Sequence, residues 1–207
     1  MSSISIIGAG TMARTLAARA LAGGNTVEVI SRDAAKAAAL AGELGHGATA
    51  GTIRSAPAGD IVILAVPYAS AAPVVSQYGD ALAGKVIIDI TNAFNSDATG
   101  LTTAAGTSIA QEIAKVAPAG AHVVKAFNTV FGHVLAQGRR LDVLIAGDDA
   151  QAKATVAAFI ESLGLRPLDT GALEMAHWLE GTGLLMMGLG RHGAGTFDFT
   201  LGVNTSA

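Results

Sequence analysis

The sequence predicts an α/β fold built on a mostly parallel sheet, and three observations predict it. Short, continuous apolar runs recur along the chain, as in "SISII" (3–7), "DIVILAV" (60–66) and "KVIIDI" (85–90). Ala-rich segments with helical spacing separate them. Gly, Pro, Asn and Asp mark the joints. Strands that are apolar throughout, rather than at alternate positions, need cover on both faces, which is the situation of parallel strands flanked by helices.

Taken in order, Ser3–Ile7 reads as a buried strand and Thr11–Ala22 as a helix. Thr26–Ile30 is a β-branched strand. Asp33 then suits the N-cap of an Ala-rich helix, Ala34–Leu44, because its short carboxylate can accept from free first-turn amides. Asp60–Val66 is a strand stopped by Pro67, and Lys85–Ile90 is the next. Ser108–Val116 reads as a helix, His122–Ala126 and Val143–Ala146 as strands, and Ala150–Leu163 as a helix. Composition shifts near Leu165. The chain is therefore divided into a main domain, 1–164, and a small C-terminal α/β element, 165–207. That element holds one helical segment, about Ala172–Gly188, a Gly-rich link, and a strand-like alternation, "TFDFTLGV" (196–203).

Composition excludes several classes. Thirteen Lys and Arg against sixteen Asp and Glu give a net charge of −3, without a basic stripe, so nucleic acid is not expected as a partner. Cysteine is absent, which rules out a disulfide scaffold, a thiolate nucleophile and a Cys-ligated metal, and fits a cytoplasmic protein. No His or acidic grouping has metal-ligand spacing. Every apolar stretch breaks before ~18 residues, so no membrane span is expected. The first apolar run is too short for a signal peptide and lacks a basic leader.

Gly8-Ala9-Gly10-Thr11-Met12-Ala13 fits G-x-G-x-x-A directly after a strand and directly before a helix. The first glycine makes the tight turn. The second lets a pyrophosphate approach the backbone. The small Ala13 lets helix and strand pack closely. The helix N-terminus offers free amides and the positive end of its dipole to phosphates. In this strand–turn–helix–strand context the motif reads as a dinucleotide site on a doubly wound, Rossmann-type sheet. Where such units usually place Asp or Glu to bond both ribose hydroxyls, this chain has Ser31 and Arg32, with Lys36 one helical turn on. A hydroxyl and a planar cation suit a 2′-phosphate, hence NADP rather than NAD. The plainer reading leaves Arg32 and Lys36 as solvated charges.

Ligands of open α/β sheets sit beyond the carboxyl ends of the strands. There Val66 and Pro67 form an apolar exit suited to cover a nicotinamide. Asn92 ends the next strand, and Lys125, Asn128 and Thr129 the one after, all expected to face one crevice. That crevice has amides, a hydroxyl and an ammonium but no acid–base pair. No catalytic residue is assigned outright; Asn128 and Lys125 are the candidates. Lys125 could equally neutralise a neighbouring carboxylate. Asp89 reads as a buried or capping acceptor. His133, His177 and Trp178 read as capping or packing residues. Oxidation of an alcohol needs a base for the hydroxyl proton. Hydride exchange between two cofactors needs mainly alignment and exclusion of water.

Six segments, "IIGAGTMA" (6–13), "SRD" with Lys36 (31–36), "DIVILAVPY" (60–68), "KAFNT" (125–129), "AGDD" (146–149) and "GLRPLDTGAL" (164–173), resemble the deazaflavin (coenzyme F-420)-dependent NADP oxidoreductases and their flavin-linked metal-reductase relatives. The resemblance implies a Rossmann domain whose C-terminal part completes a second cofactor's pocket. It also implies hydride transfer between NADP(H) and a deazaflavin or a flavin such as FMN or FAD, usually in a homodimer. By it, Ala9–Met12, Ser31, Arg32 and Lys36 hold the adenine-side phosphates, and Val130 and Gly132 lie near the nicotinamide. Archaeal members carry His where this chain has Asn128, whereas the flavin-linked relatives carry Asn. "GLLMMGLG" (183–190) suits a dimer contact. Two other readings stand beside it. One is an imine reductase like the pyrroline-carboxylate reductases, which share the "GAG-x-M" opening but need a long helical domain afterwards. The other is a non-catalytic NADP(H) sensor.

Overall fold

The computed structural model describes residues 1–204. Among them the strands form one eight-stranded sheet in the order β3-β2-β1-β4-β5-β6-β7-β8. The strands are β1 (Ser3–Ile7), β2 (Thr26–Ser31), β3 (Ala48–Thr52), β4 (Ile61–Leu64), β5 (Val86–Asp89), β6 (His122–Lys125), β7 (Asp142–Gly147) and β8 (Arg166–Asp169). All neighbours are parallel except β6 and β7. The order reverses between β1 and β4, which opens a crevice at their carboxyl ends.

Helices cover both faces, as the apolar strands require. On one face α1 (Thr11–Ala22) and α6 (Ala150–Ser162) bury Leu16 and Phe159 against Ile6 and Ile63. On the other, α3 (Tyr68–Tyr78) and α4 (Ile109–Val116) bury Val75 and Ile113 against Ile7, Val62 and Leu64. Successive residues of one strand thus feed two cores, the period-two rule of the pleat. The remaining helices are α2 (Ala34–Leu44), α5 (Gly132–Leu135) and α7 (Ala176–Gly188), the last running on into a π-helical turn, Leu189–Gly193. Asp33 caps α2 as expected, accepting from Ala35 N and Lys36 N at 3.0 and 3.3 Å. Ser108 and Gln111 form a capping box at α4. No helix among the described residues is long and apolar enough to cross a membrane.

Besides the short α5, three elements escape the sequence reading. β3, "ATAGT", is an edge strand without a large apolar side chain. β8 contains Pro167, which breaks a strand pattern but is tolerated where one edge has no partner. It lies beyond Leu165, so the sheet continues across the boundary drawn from composition. α3 contains Pro73, which has no N–H for the Ala69 carbonyl one turn earlier.

One expectation is overturned. "TFDFTLGV" (196–203) is not a strand. It forms an irregular strap whose alternate aromatic residues, Phe197 and Phe199, meet the Phe131 ring edge-on at 5.7 and 5.5 Å. The alternation reflects one face packing on Phe131, without backbone pairing. At its far end Arg166 bridges Asp142 through two bonds of 2.6 and 2.5 Å, and both residues also hold the Val203 backbone.

The Arg166 guanidinium, as hydrogen-bond donor, holds the Asp142 carboxyl below its ordinary range despite burial. A carboxyl lowered by folding contributes anchorage above its unfolded titration range and loses it as pH falls through the folded one. Amide protection at 200–203 is therefore expected to drop at acid pH. Hydrogen exchange, corrected for intrinsic rates, should show this in the wild type and not in Asp142→Asn.

Candidate functional site

The first glycine of the motif serves the fold, and the second does not. Gly8 has φ +134°, and its N–H donates to the Ile30 carbonyl at 2.8 Å. A Cβ there would run into the Ala65 carbonyl at the end of β4. The close approach of β1 and β4 thus requires glycine twice over, for conformation and for space. Gly10, the N-cap of α1, has φ −85°, and a Cβ there meets nothing within 4 Å. Its missing side chain leaves open space above helix amides that no capping side chain takes. That is the cradle a pyrophosphate needs. Thr11 is exposed at the first position of α1, and Ala13 is buried beneath it.

A groove of about 600 Å³ runs from this turn along the ends of β2 and β4. Gly8, Ala9, Gly10, Ser31, Arg32, Lys36, Val66 and Pro67 line it, so eight of the residues singled out by sequence come together. Arg32 is exposed and makes no side-chain hydrogen bond or ion pair among the described residues. Lys36 approaches Asp33 only to 4.0 Å. Two cations and the Ser31 hydroxyl therefore stand at one end of the groove without a close carboxylate partner. Val66 and Pro67, read as cover for a nicotinamide, lie here beside the glycines. The opposite wall, from α3, was not read from sequence: Ala69, Ser70, Pro73, Val74 and Gln77 line it, facing Ile53.

A second cavity, about 250 Å³, opens on the other side of the start of α1. Met12, Asn92, Asn128, Thr129, Val130 and Gly132 line it, as the strand-end argument and the resemblance together expect. Ile90, Phe94, Phe127, Phe131, Gly183, Met186 and Met187 complete it; none is a site residue of the sequence reading, which gives the last three to a dimer contact. The walls are apolar apart from two amides and a hydroxyl. The two asparagines hold each other: Asn128 Nδ2 donates to Asn92 Oδ1 at 2.9 Å, and Asn92 Nδ2 to the backbone carbonyl of Asn128 at 2.9 Å. Asn128 Nδ2 also donates to the Leu179 carbonyl of α7 at 2.8 Å. A Cβ at Gly183 would lie 2.8 Å from Asn92 Oδ1, so glycine lets α7 close on the pair. Just before Asn128, Phe127 holds a left-handed backbone, φ +60°, with its ring buried edge-on to Phe159.

Lys125 does not reach either cavity. It is fully buried, and its three ammonium protons are matched by Asp89 Oδ2 (2.8 Å), the Thr91 carbonyl (2.6 Å) and Glu180 Oε1 (2.8 Å). The reading in which it neutralises a neighbouring carboxylate is the one the geometry supports. Candidacy as a group touching substrate is withdrawn. Glu180, missed by the sequence reading, also accepts from Ile109 N at the start of α4 at 3.0 Å. Burial pushes the Glu180 carboxyl up, against the pull of Lys125. A lone Glu among "HWLEGTGLLMMG" was the available signal, because a carboxylate in an apolar helix face needs a buried partner. Among the described residues, no three His, Asp or Glu side chains gather to hold a metal ion.

This geometry is matched by known proteins. The family model described as NADP oxidoreductase, coenzyme F420-dependent, matches residues 3–93, the stretch holding β1 to β5 and the glycine turn. The F420-dependent NADP reductase of Methanocaldococcus jannaschii is 30% identical over 143 residues, covering 65% of this chain and 64% of that one. A solved structure from Arthrobacter sp. FB24, described as a candidate F420-dependent NADP-reductase, superposes with a TM-score of 0.87 at 25% identity over 99% of this chain and 100% of that one. Residues 3–93 thus match the coenzyme F420-dependent NADP oxidoreductase family. Another relative is the metalloreductase STEAP3 of Rattus norvegicus, 32% identical over 190 residues, or 89% of this chain. The chain spans 37% of that protein's length and 64% of the archaeal reductase's.

Two variants separate folding from binding. Lys125→Ala leaves two buried carboxylates facing each other, and is expected to cost about 3–5 kcal/mol, read as a lower urea midpoint. Gly10→Val should keep the wild-type urea midpoint, because the Cβ position is open, yet lose NADPH in calorimetry. Retained NADPH affinity would show that the open space at Gly10 is not a phosphate cradle.

Proposed function

We propose that this protein is an NADP-dependent oxidoreductase that transfers hydride between NADPH and a deazaflavin or flavin. The observation that carries the reading is the pairing of the two cavities at the start of α1. One has cations and helix amides. The other is apolar, with two interlocked amides and no acid–base pair. NADPH, when bound, supplies the hydride. Arg32, Lys36 and Ser31 hold its 2′-phosphate, and the turn from Gly8 to Met12 takes its pyrophosphate. Val130, Gly132 and the Asn92–Asn128 pair border the nicotinamide. The Phe and Met walls exclude water and set two rings face to face. Such a transfer moves no substrate hydroxyl proton, so alignment suffices.

The strap that packs on Phe131 supports a C-terminal contribution to the second pocket. Trp178, Leu185 and Leu189 stand exposed along α7 and its π-helical extension, and we assign that apolar face to a homodimer contact.

Purified protein offered NADPH with deazaflavin, FMN, FAD or riboflavin is expected to turn over, with NADH much poorer. Turnover on the deazaflavin alone, or on flavins alone, names the acceptor. Tight NADPH binding without turnover on any of them favours the sensor reading. Arg32→Ala is expected to weaken NADPH by about 1.5–3 kcal/mol and NADH hardly at all. Equal weakening of both would overturn the 2′-phosphate assignment.

A further inference from the structure

The α3 wall of the larger groove carries a feature that the phosphate contacts do not use. In an unbroken helix the carbonyl of one residue accepts from the N–H four residues on. Pro73 lies inside α3 and has no N–H, so the Ala69 carbonyl loses its helical donor. Ala69 and Pro73 are one turn apart on one face, and both line the groove. The face of α3 turned to the sheet is a different one, carrying the buried Ala71 and Val75. The released acceptor therefore belongs to the helical turn that lines the groove.

Charge is divided across the groove. Arg32 and Lys36 stand on the side of β2 and α2, while the α3 side presents Ala69, Ser70, Pro73, Val74 and Gln77 and no charge. A flat, uncharged ring with a polar edge suits that wall, and a phosphate does not. Proline is the residue least favoured inside a helix. A local choice that opposes the element it sits in, at the wall of a ligand groove, is where a functional reason is expected.

We propose that the Ala69 carbonyl, freed by Pro73, accepts a hydrogen bond from the exocyclic amino group of the adenine, and so selects adenine over a 6-oxopurine. The inference rests on the NADP reading above. With hypoxanthine in place of adenine, a carbonyl would face a carbonyl, and the acceptor would lose its donor. Pro73→Ala restores the backbone N–H, which then occupies the Ala69 carbonyl.

The test is calorimetric affinity for NADPH and for its hypoxanthine analogue, deamino-NADPH, without any turnover. Wild type is expected to prefer NADPH by about tenfold. In Pro73→Ala the preference should fall to within about twofold, mainly through weaker NADPH binding. Because that variant removes a helix-interior proline, its Tm should not fall, which separates the effect from unfolding. Gln77→Ala serves as the second variant, because the Gln77 amide could read the same edge. Loss of preference in Gln77→Ala with retention in Pro73→Ala would overturn the proposal. Equal binding of both nucleotides by wild type would overturn it while leaving the NADP reading intact. If wild type binds neither, the NADP reading falls and this inference falls with it.

Discussion

The Lys125 ammonium is the point on which the second half of the molecule depends. It sits at the carboxyl end of β6, where it meets Asp89 from the end of β5 and Glu180 from the middle of α7. Glu180 in turn receives the first amide of α4. One cation thus fixes two strand ends and two helices. Both its side-chain partners are fully buried, so no water can substitute for any of them. An uncompensated charge in such a place is among the costliest defects a core can hold. The wall that α7 gives to the second cavity, through Gly183 and Met186, stands where this contact holds it.

The first half is organised by space rather than charge. β1 and β4 diverge in direction of winding, and their ends come close only because Gly8 has no side chain. Two cavities follow on either side of the start of α1. The larger has a polar, cationic end, while the smaller is nearly featureless in charge. In the proposed function, binding and chemistry thereby fall to different halves of the sheet, joined by four residues of backbone, Ala9 to Met12.

Much of this arrangement could be read from the sequence. The continuous apolar strands, the glycine turn and the Ser31-Arg32 pair are local patterns with local causes; the strands form the sheet, and the turn and the pair line one groove. Asp33 was legible as a cap for the same reason. What escaped was non-local or weak in pattern. β3 has no apolar residue larger than alanine, and β8 carries a proline, so their pairing is decided by neighbours. Lys125 was ambiguous because a lysine at a strand end looks the same whether it meets a ligand or a buried carboxylate. Its partner Glu180 lies 55 residues on. The strap at 196–203 misled because alternation records one buried face, whatever that face packs against.

The strained backbone of Phe127 carries a consequence for anyone wishing to stabilise this protein. A non-glycine residue in the left-handed region costs on the order of 1–3 kcal/mol, so replacement by glycine at 127 looks attractive on conformational grounds. The same residue, however, contributes a fully buried ring to the core beneath, and losing such a ring costs about 3–5 kcal/mol. The two demands, on one backbone and one side chain, pull in opposite directions. The sequence resolves them in favour of the ring. Thermal hardening of this fold is therefore better sought at its edges, away from the bend that delivers Asn128.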